Sequence, residues 1–212
     1  MVPAPAPSMI VRDAYRFLVP LGTLAVLAFA FGFFSPGLLI SALFVFVAFF
    51  FRNPPRSIPD DPRLIVSPAD GKVVRVEKVG NVTRMSIFLS LFNVHVNRSP
   101  IAGRIEAVEY KPGRFLVAFN DKASTDNERN IVMVRNGKIT IVFTQIAGIV
   151  ARRIVFWKKA GDNVGKGELV GLIRFGSRVD VLFPAGTEAT VKVGDRVKGG
   201  STSIGVITET HG

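Results

Sequence analysis

Ser177, His95 and Asp70 are the residues whose types could together perform nucleophilic and acid–base chemistry. The 212-residue chain contains no cysteine, which removes thiolate catalysis, disulfides and Cys-ligated metals. A nucleophile must therefore come from Ser, Thr, Lys or a carboxylate. Imidazoles are scarce: there are two histidines, and His211 is the penultimate residue, where chains are rarely well ordered. His95 lies in Leu91-Phe92-Asn93-Val94-His95-Val96-Asn97, at the end of an apolar run. Such a solitary histidine serves either as a structural hydrogen-bonder or as a base. Without an acidic cluster beside it, it offers too few ligands for a metal, so no metal is expected. Asp70 sits in the turn Pro68-Ala69-Asp70-Gly71, where a carboxylate can cap its own backbone or orient an imidazole. Ser177 follows Gly176 between Val170–Phe175 and Val179–Phe183. A bulge or tight turn is its ordinary reading.

The elements that must position these residues are short strands. Lys72–Val79 and Thr83–Leu89 alternate, and Arg104–Tyr110, Ile131–Arg135, Lys138–Thr144, Arg153–Trp157, Val179–Phe183 and Ala189–Val193 are short β-branched runs. Asn136-Gly137 between two of them predicts a hairpin. No segment after Pro62 sustains a 3.6-residue apolar period. The expected body is mainly β, closed or sandwiched to protect its edges. Ala160-Gly161-Asp162-Asn163-Val164 and Val193-Gly194-Asp195-Arg196-Val197 repeat one glycine turn, and Ser67–Val74 reads as an opening strand. Both features resemble the barrel-sandwich hybrid architecture of lipoyl and biotinyl domains, which speaks to fold and not to activity. The lysine at a hairpin tip that such carriers need is absent from the sequence.

The first quarter is of another kind. Phe17–Phe34 and Gly37–Phe51 are apolar and uncharged, with the turn signal Ser35-Pro36-Gly37 between them. A spanning helix needs about 20 apolar residues. Arg12 and Arg16 precede the pair, and Arg52, Arg56 and Arg63 follow it, so the positive-inside rule puts both ends in the cytoplasm. The expected organisation is a hydrophobic helical hairpin over 1–51 as membrane anchor, a linker over 52–62 and a catalytic β domain over 63–212. The net charge of +11 favours an anionic partner. It is scattered rather than clustered, and no zinc-finger or RNA-binding signature accompanies it, so no nucleic acid is expected and an anionic membrane surface fits better.

Taken together, the motifs resemble those of the phosphatidylserine decarboxylase family in its short form. In chain order they are FFRNPPR (50–56), SPADGKV (67–73), FNVHVNR (92–98), DNERN (126–130), QIAGIVARRIV (145–155) and FGSRVDVLFP (175–184). The resemblance implies an Asp70-His95-Ser177 triad and autocatalytic cleavage of the Gly176–Ser177 bond. The products would be residues 1–176 and 177–212, held together as a heterodimer. Ser177 would become a covalent pyruvoyl cofactor and the Schiff-base site for phosphatidylserine drawn from the bilayer, which is decarboxylated to phosphatidylethanolamine. The implied location is a bacterial-type inner membrane, with the catalytic domain on the cytoplasmic face. Two departures stand out. Many members carry Leu-Gly-Ser-Thr at the cut, where this chain has Phe175-Gly176-Ser177-Arg178. Longer members carry a second histidine three residues before the triad histidine, where this chain has Phe92, so His95 would serve both maturation and turnover. Arg152, Arg153, Lys158 and Lys159 are candidates for the headgroup phosphate, or a solvated basic face.

Two other classes stay open on the residues alone. One is a non-catalytic barrel-sandwich adaptor or carrier on a membrane hairpin; the other is a phosphotransferase-like domain with His95 as phosphoacceptor. With arginines flanking both ends of the apolar pair, reporter fusions to the N- and C-termini should both signal from the cytoplasm, and a periplasmic signal from either would refute the hairpin.

Overall fold

The computed structural model describes residues 8–113, 127–137, 139–148, 153–174 and 177–208. The chain divides into two compact units, Met1–Pro55 and Arg56–Gly212.

In the first unit a 3-10 turn at Arg12–Ala14 leads into α1 (Tyr15–Ala30), which is followed by α2 (Phe34–Phe50). Arg12–Ala30 is long and apolar enough to cross a membrane; α2 is apolar but shorter. Phe31, Phe34 and Leu39 present their side chains outward, as suits a pair of helices in an apolar surrounding. The reversal falls at Phe31–Phe33, with Gly32 at φ 78°, and not at Ser35-Pro36-Gly37. Ser35 and Pro36 belong to the first turn of α2, where backbone N–H groups have no intrahelical acceptor and a proline costs nothing. The chain leaves the pair through Arg52, whose backbone bridges to Ile10.

The second unit is mainly β, as expected. Its strands are β1 (Leu64–Val66), β2 (Gly71–Val79), β3 (Val82–Leu89), β4 (Val96–Arg98), β5 (Gly103–Lys111), β6 (Arg129–Asn136) and β7 (Ile139–Ile146). They continue with β8 (Ile154–Phe156), β9 (Asn163–Val164), β10 (Leu169–Ile173), β11 (Ser177–Phe183), β12 (Thr187–Ala189), β13 (Arg196–Val197) and β14 (Ser203–Ile207). The Asn136-Gly137 hairpin forms where predicted, with Gly137 at φ 52°. The run at Ala189–Val193 is displaced: the strand ends at Ala189, because Lys192–Asp195 closes a turn in which Asp195 Oδ2 accepts from the Lys192 N–H at 2.9 Å.

The sheets have a symmetry that the strand pattern alone conceals. The eight-stranded sheet runs β13-β2-β3-β11-β7-β6-β5-β9, and the two small sheets run β1-β14-β12 and β4-β10-β8. Exchanging β2 with β5, β3 with β6, β11 with β7, β13 with β9, and β1-β14-β12 with β4-β10-β8 maps the arrangement onto itself. The sequence carries the same repeat: Ser67-Pro68-Ala69-Asp70-Gly71-Lys72-Val73 matches Ser99-Pro100-Ile101-Ala102-Gly103-Arg104-Ile105. Hydrogen bonds repeat with it. Ser67 Oγ donates to the Ala69 carbonyl at 2.6 Å and Ser99 Oγ to that of Ile101 at 2.7 Å. The Gly194 N–H donates to Val73 and the Gly161 N–H to Ile105, at 2.8 and 2.7 Å. One repeat, β4 to β10, is contiguous and is inserted into the other between β3 and β11. The chain therefore crosses between repeats twice, through 90–95 and through 174–176.

The core is made of the inward residues of both halves, among them Val73, Met85, Ile87, Leu89, Ile105, Val132, Phe143, Val179, Val181 and Phe183. Burial of this alternating face stabilises the sheet by roughly 25 cal/mol per Å² of apolar surface removed from water. A Cβ built on Gly71 would collide with the Phe88 carbonyl oxygen, and one on Gly103 with that of Arg135. Because the obstacle is backbone in both cases, Gly71→Ala and Gly103→Ala should each lower unfolding stability by about 1–3 kcal/mol, measured by urea titration. A large cost at one position and none at the other would refute their equivalence.

Candidate functional site

Both crossovers and one of the two repeated turns carry the residues that the sequence singled out. β3 is the ruler. Lys72 pairs with Phe88 on one side of it, and Ser177 pairs with Leu89 on the other. Asp70 and Ser177 therefore stand at one end of the sheet, on either side of β3, on the order of 10 Å apart in backbone position. A carboxylate and a hydroxyl so spaced need an intervening group to pass a proton. β3 runs directly into the crossover 90–95 that ends in His95.

The crossover is a tight turn. The Asn93 N–H donates to the Ser90 carbonyl at 3.0 Å, and Asn93 Oδ1 accepts from both the N–H and the Oγ–H of Ser90 at 2.8 Å. The Asn93 carbonyl oxygen lies 3.0 Å from His95 Nδ1. A carbonyl only accepts, so this contact puts the hydrogen on Nδ1 and makes Nε2 the basic nitrogen. His95 is 1% exposed. Its own carbonyl accepts from the Ile173 N–H at 3.2 Å, so the segment that leads to Ser177 departs from beside the histidine. Ser177 is fully buried, and its Oγ meets no hydrogen-bond partner among the described residues. Gly176, the other half of the expected cleavage dipeptide, lies outside the described residues, as do Asp126, Arg152 and His211.

Asp70 is held from two directions. Arg56 Nη2 donates to both carboxylate oxygens at 2.9 Å, and the Gly199 N–H donates to Oδ1 at 2.8 Å. Arg98 lies behind this pair and donates to the Gly167 carbonyl at 2.9 Å. Burial, with Arg56 as a neighbouring like charge, pulls the Arg98 guanidinium down to about 10. In the other repeat Ala102 stands where Asp70 does, so the turn itself has no need of a carboxylate.

Beneath the site runs a chain of buried amides. Asn130 Nδ2 donates to Gln145 Oε1, and Gln145 Nε2 donates to Asn97 Oδ1, both at 2.9 Å. Asn97 Nδ2 reaches the Pro68 carbonyl at 3.4 Å, in the turn that bears Asp70. These amides, with Arg56 and Asn93, are the site residues that reasoning from residue chemistry alone missed. Four of the six family motifs contain one of them, and Arg56 closes FFRNPPR. Next to Ser177, burial also pulls the Arg178 guanidinium down, against the pull of Asp180 3.0 Å away. Of the basic residues considered for a phosphate, Lys158 is paired with Glu168. Beside Asp70 an open cleft of about 620 Å³ is lined by Lys72, Phe92, Arg196 and Lys198.

The phosphatidylserine decarboxylase family model matches residues 43–205. A phosphatidylserine decarboxylase proenzyme of Solibacter usitatus is 57% identical over 160 residues, covering 76% of this chain and 78% of the relative. That of Carboxydothermus hydrogenoformans is 46% identical over 209 residues, covering 95% and 98%. A third, from Burkholderia pseudomallei, is 42% identical over 208 residues, covering 95% and 96%.

Arg56 Nη2 serves both oxygens of Asp70, and their side chains are only 8% and 14% exposed. Removing the cation leaves a desolvated carboxylate, so Arg56→Met should cost about 3 kcal/mol of unfolding stability. Because one nitrogen makes both contacts, Arg56→Lys should recover most of that loss in thermal unfolding. Equal losses for the two variants would show that packing of the Arg56 stem, and not its charge, is what matters.

Proposed function

This chain belongs to the phosphatidylserine decarboxylase family, and from that membership we propose that it is made as a precursor, cuts itself between Gly176 and Ser177, and converts phosphatidylserine to phosphatidylethanolamine with a pyruvoyl group derived from Ser177. The observation that carries the reading is the Ser177 hydroxyl, buried and without a hydrogen-bond partner among the described residues. Leaving such a group unsatisfied costs about 1–3 kcal/mol, a cost a folded chain bears where the hydroxyl has chemistry to do.

Maturation uses the chain's own atoms. His95 Nε2 takes the proton from Ser177 Oγ as that oxygen attacks the Gly176 carbonyl carbon. The Gly176–Ser177 C–N bond breaks, the proton goes to the serine nitrogen, and an ester links Gly176 to Oγ. Loss of the Ser177 α-proton expels the Gly176 carboxylate by cleavage of the Cβ–Oγ bond. The resulting dehydroalanine takes up water and releases ammonia, leaving a pyruvoyl group at the new terminus. The Asn93 carbonyl keeps His95 in the tautomer that this needs. Asp70, fixed by Arg56 and Gly199, stands at the same end of the sheet as Ser177.

The pyruvoyl ketone supplies an electron sink for loss of CO2 from an amino acid headgroup. A buried position 177 fits that use, because exclusion of water protects a reactive carbonyl and strengthens nearby electrostatics. His95 is the described imidazole that can hold and return a proton there, with Phe92 in the place of a second histidine. The products 1–176 and 177–212 would remain paired through β11. The apolar length of Arg12–Ala30 supports work at a membrane, and the flanking arginines support the cytoplasmic face of an inner membrane.

Ser177→Ala should give one uncut chain without CO2 release, and His95→Ala should also stay uncut. Phe92→Ala should mature and at most turn over more slowly. Asp70→Asn should mature slowly. Denaturing gels after long incubation, followed by CO2-release assays, separate these outcomes. Normal cleavage of the Ser177→Ala chain would overturn the site.

A further inference from the structure

We propose that the Leu91–Phe92 tip of the first crossover, with Lys72, Arg196 and Lys198 around the same cleft, is a docking surface by which the catalytic unit itself enters an anionic phospholipid bilayer. This extends the reading of the substrate as a bilayer lipid, and it concerns the β unit alone.

Three observations meet here. Phe92 is 72% exposed and Leu91 41%, at the tip of a turn whose base is fixed by the Ser90–Asn93 hydrogen bonds. Two large apolar side chains held out on a rigid turn are costly in water and favourable in the acyl–headgroup boundary. Lys72, Arg196 and Lys198 are exposed and form no ion pair among the described residues. They line the cleft together with Phe92, so apolar tip and cations share one rim. The acidic groups nearest them are engaged: Asp70 by Arg56, and Asp195 Oδ2 by the Lys192 N–H. The rim therefore presents net positive charge. An apolar wedge ringed by cations matches a membrane surface with anionic headgroups, where each basic residue adds a favourable interaction within a Debye length. The location also has a use. The cleft opens beside the Asp70 turn and the start of the His95 crossover, so a lipid at this rim needs no passage through water to approach the proposed site.

The absence of cysteine makes the test specific. Phe92→Cys in the full chain is labelled with an environment-sensitive fluorophore, and Asn81→Cys provides the control. Asn81 is exposed at the β2–β3 turn, about 20 Å away at the far end of β3. The protein is reconstituted in phosphatidylcholine vesicles containing phosphatidylglycerol and lipids with quenchers on the acyl chains. The label at 92 should be quenched and blue-shifted while the label at 81 stays wet. In the background K72Q/R196Q/K198Q, the fraction of anionic lipid needed for half-maximal quenching at 92 should rise several-fold. A label at 92 as wet as that at 81, or one indifferent to the three cations, overturns the proposal. So does protection at 92 that follows protein concentration instead of lipid, which would assign the patch to a second copy of this chain. CO2 release by the unlabelled chain keeps the two readings apart. Quenching without decarboxylation would sink the substrate reading alone; decarboxylation with a wet label would sink the docking surface alone.

Discussion

A strand that begins at the proposed cleavage serine has to be held by its neighbours, because after the cut its own chain would no longer hold it. β11 meets that requirement by position. It lies in the middle of the eight-stranded sheet, paired along Ser177–Phe183 with β3 and along Arg178–Leu182 with β7. Its inward residues Val179, Val181 and Phe183 are fully buried. An edge strand cut at its first residue would fray; a central one keeps hydrogen bonds on both sides and its apolar face in the core. With the serine at the first residue of this strand, its hydroxyl sits in the buried interior.

The internal repeat explains why the chemistry sits where it does. Within each half, strands follow one another through turns that the repeat reproduces, such as those at Gly161 and Gly194. The two crossovers have no counterpart to copy, so their sequences are free of the repeat's constraints. One carries Asn93 and His95, and the other leads into Ser177. The turns do obey the repeat, and there the departure is informative: Asp70 and Ala102 occupy equivalent places, and the Asp70 side brings in Arg56 to compensate the charge. A carboxylate that its twin does without is not required by the turn itself.

Much of this was legible in the sequence, and the limits have physical causes. Alternation located β2 and β3, and β-branched runs located β5, β6 and β11, to within a residue or two, because one face of each is buried in a common core where period two and branched side chains are how a half-buried strand reads. His95 and Ser177 could be singled out by scarcity and by neighbours. The partners of Asp70 could not: Arg56 and Gly199 are distant in sequence, and a Pro-Ala-Asp-Gly turn reads the same whether its carboxylate caps the backbone or binds a guanidinium. Nor could the tautomer of His95, which depends on a backbone carbonyl that any residue at 93 would provide; what Asn93 adds is a side chain that closes the turn. The reversal of the helix pair was misplaced because Ser-Pro-Gly signals a turn and a helix start equally well, and here the φ 78° glycine at 32 decides it.

The buried amides show how a β fold of this size can fix the Asp70 turn and the strand after His95 relative to one another. Asn130, Gln145 and Asn97 belong to β6, β7 and β4, and all three are 2% exposed or less. A single buried amide is a liability, but in this chain Gln145 both donates and accepts and is fixed at each end by another amide. Moving β7 or β4 by a residue would break two of these hydrogen bonds, and moving β6 one, stranding their partners in the core, so the register of β4 against β7 is fixed far more sharply than apolar contacts could fix it. β4 begins at the residue after His95, and the same chain ends on the Pro68 carbonyl, two residues before Asp70. The polar interior therefore specifies the relative positions of the imidazole and the carboxylate from below. The rim of the cleft is then left to cations and exposed apolar groups, as the proposed docking surface requires.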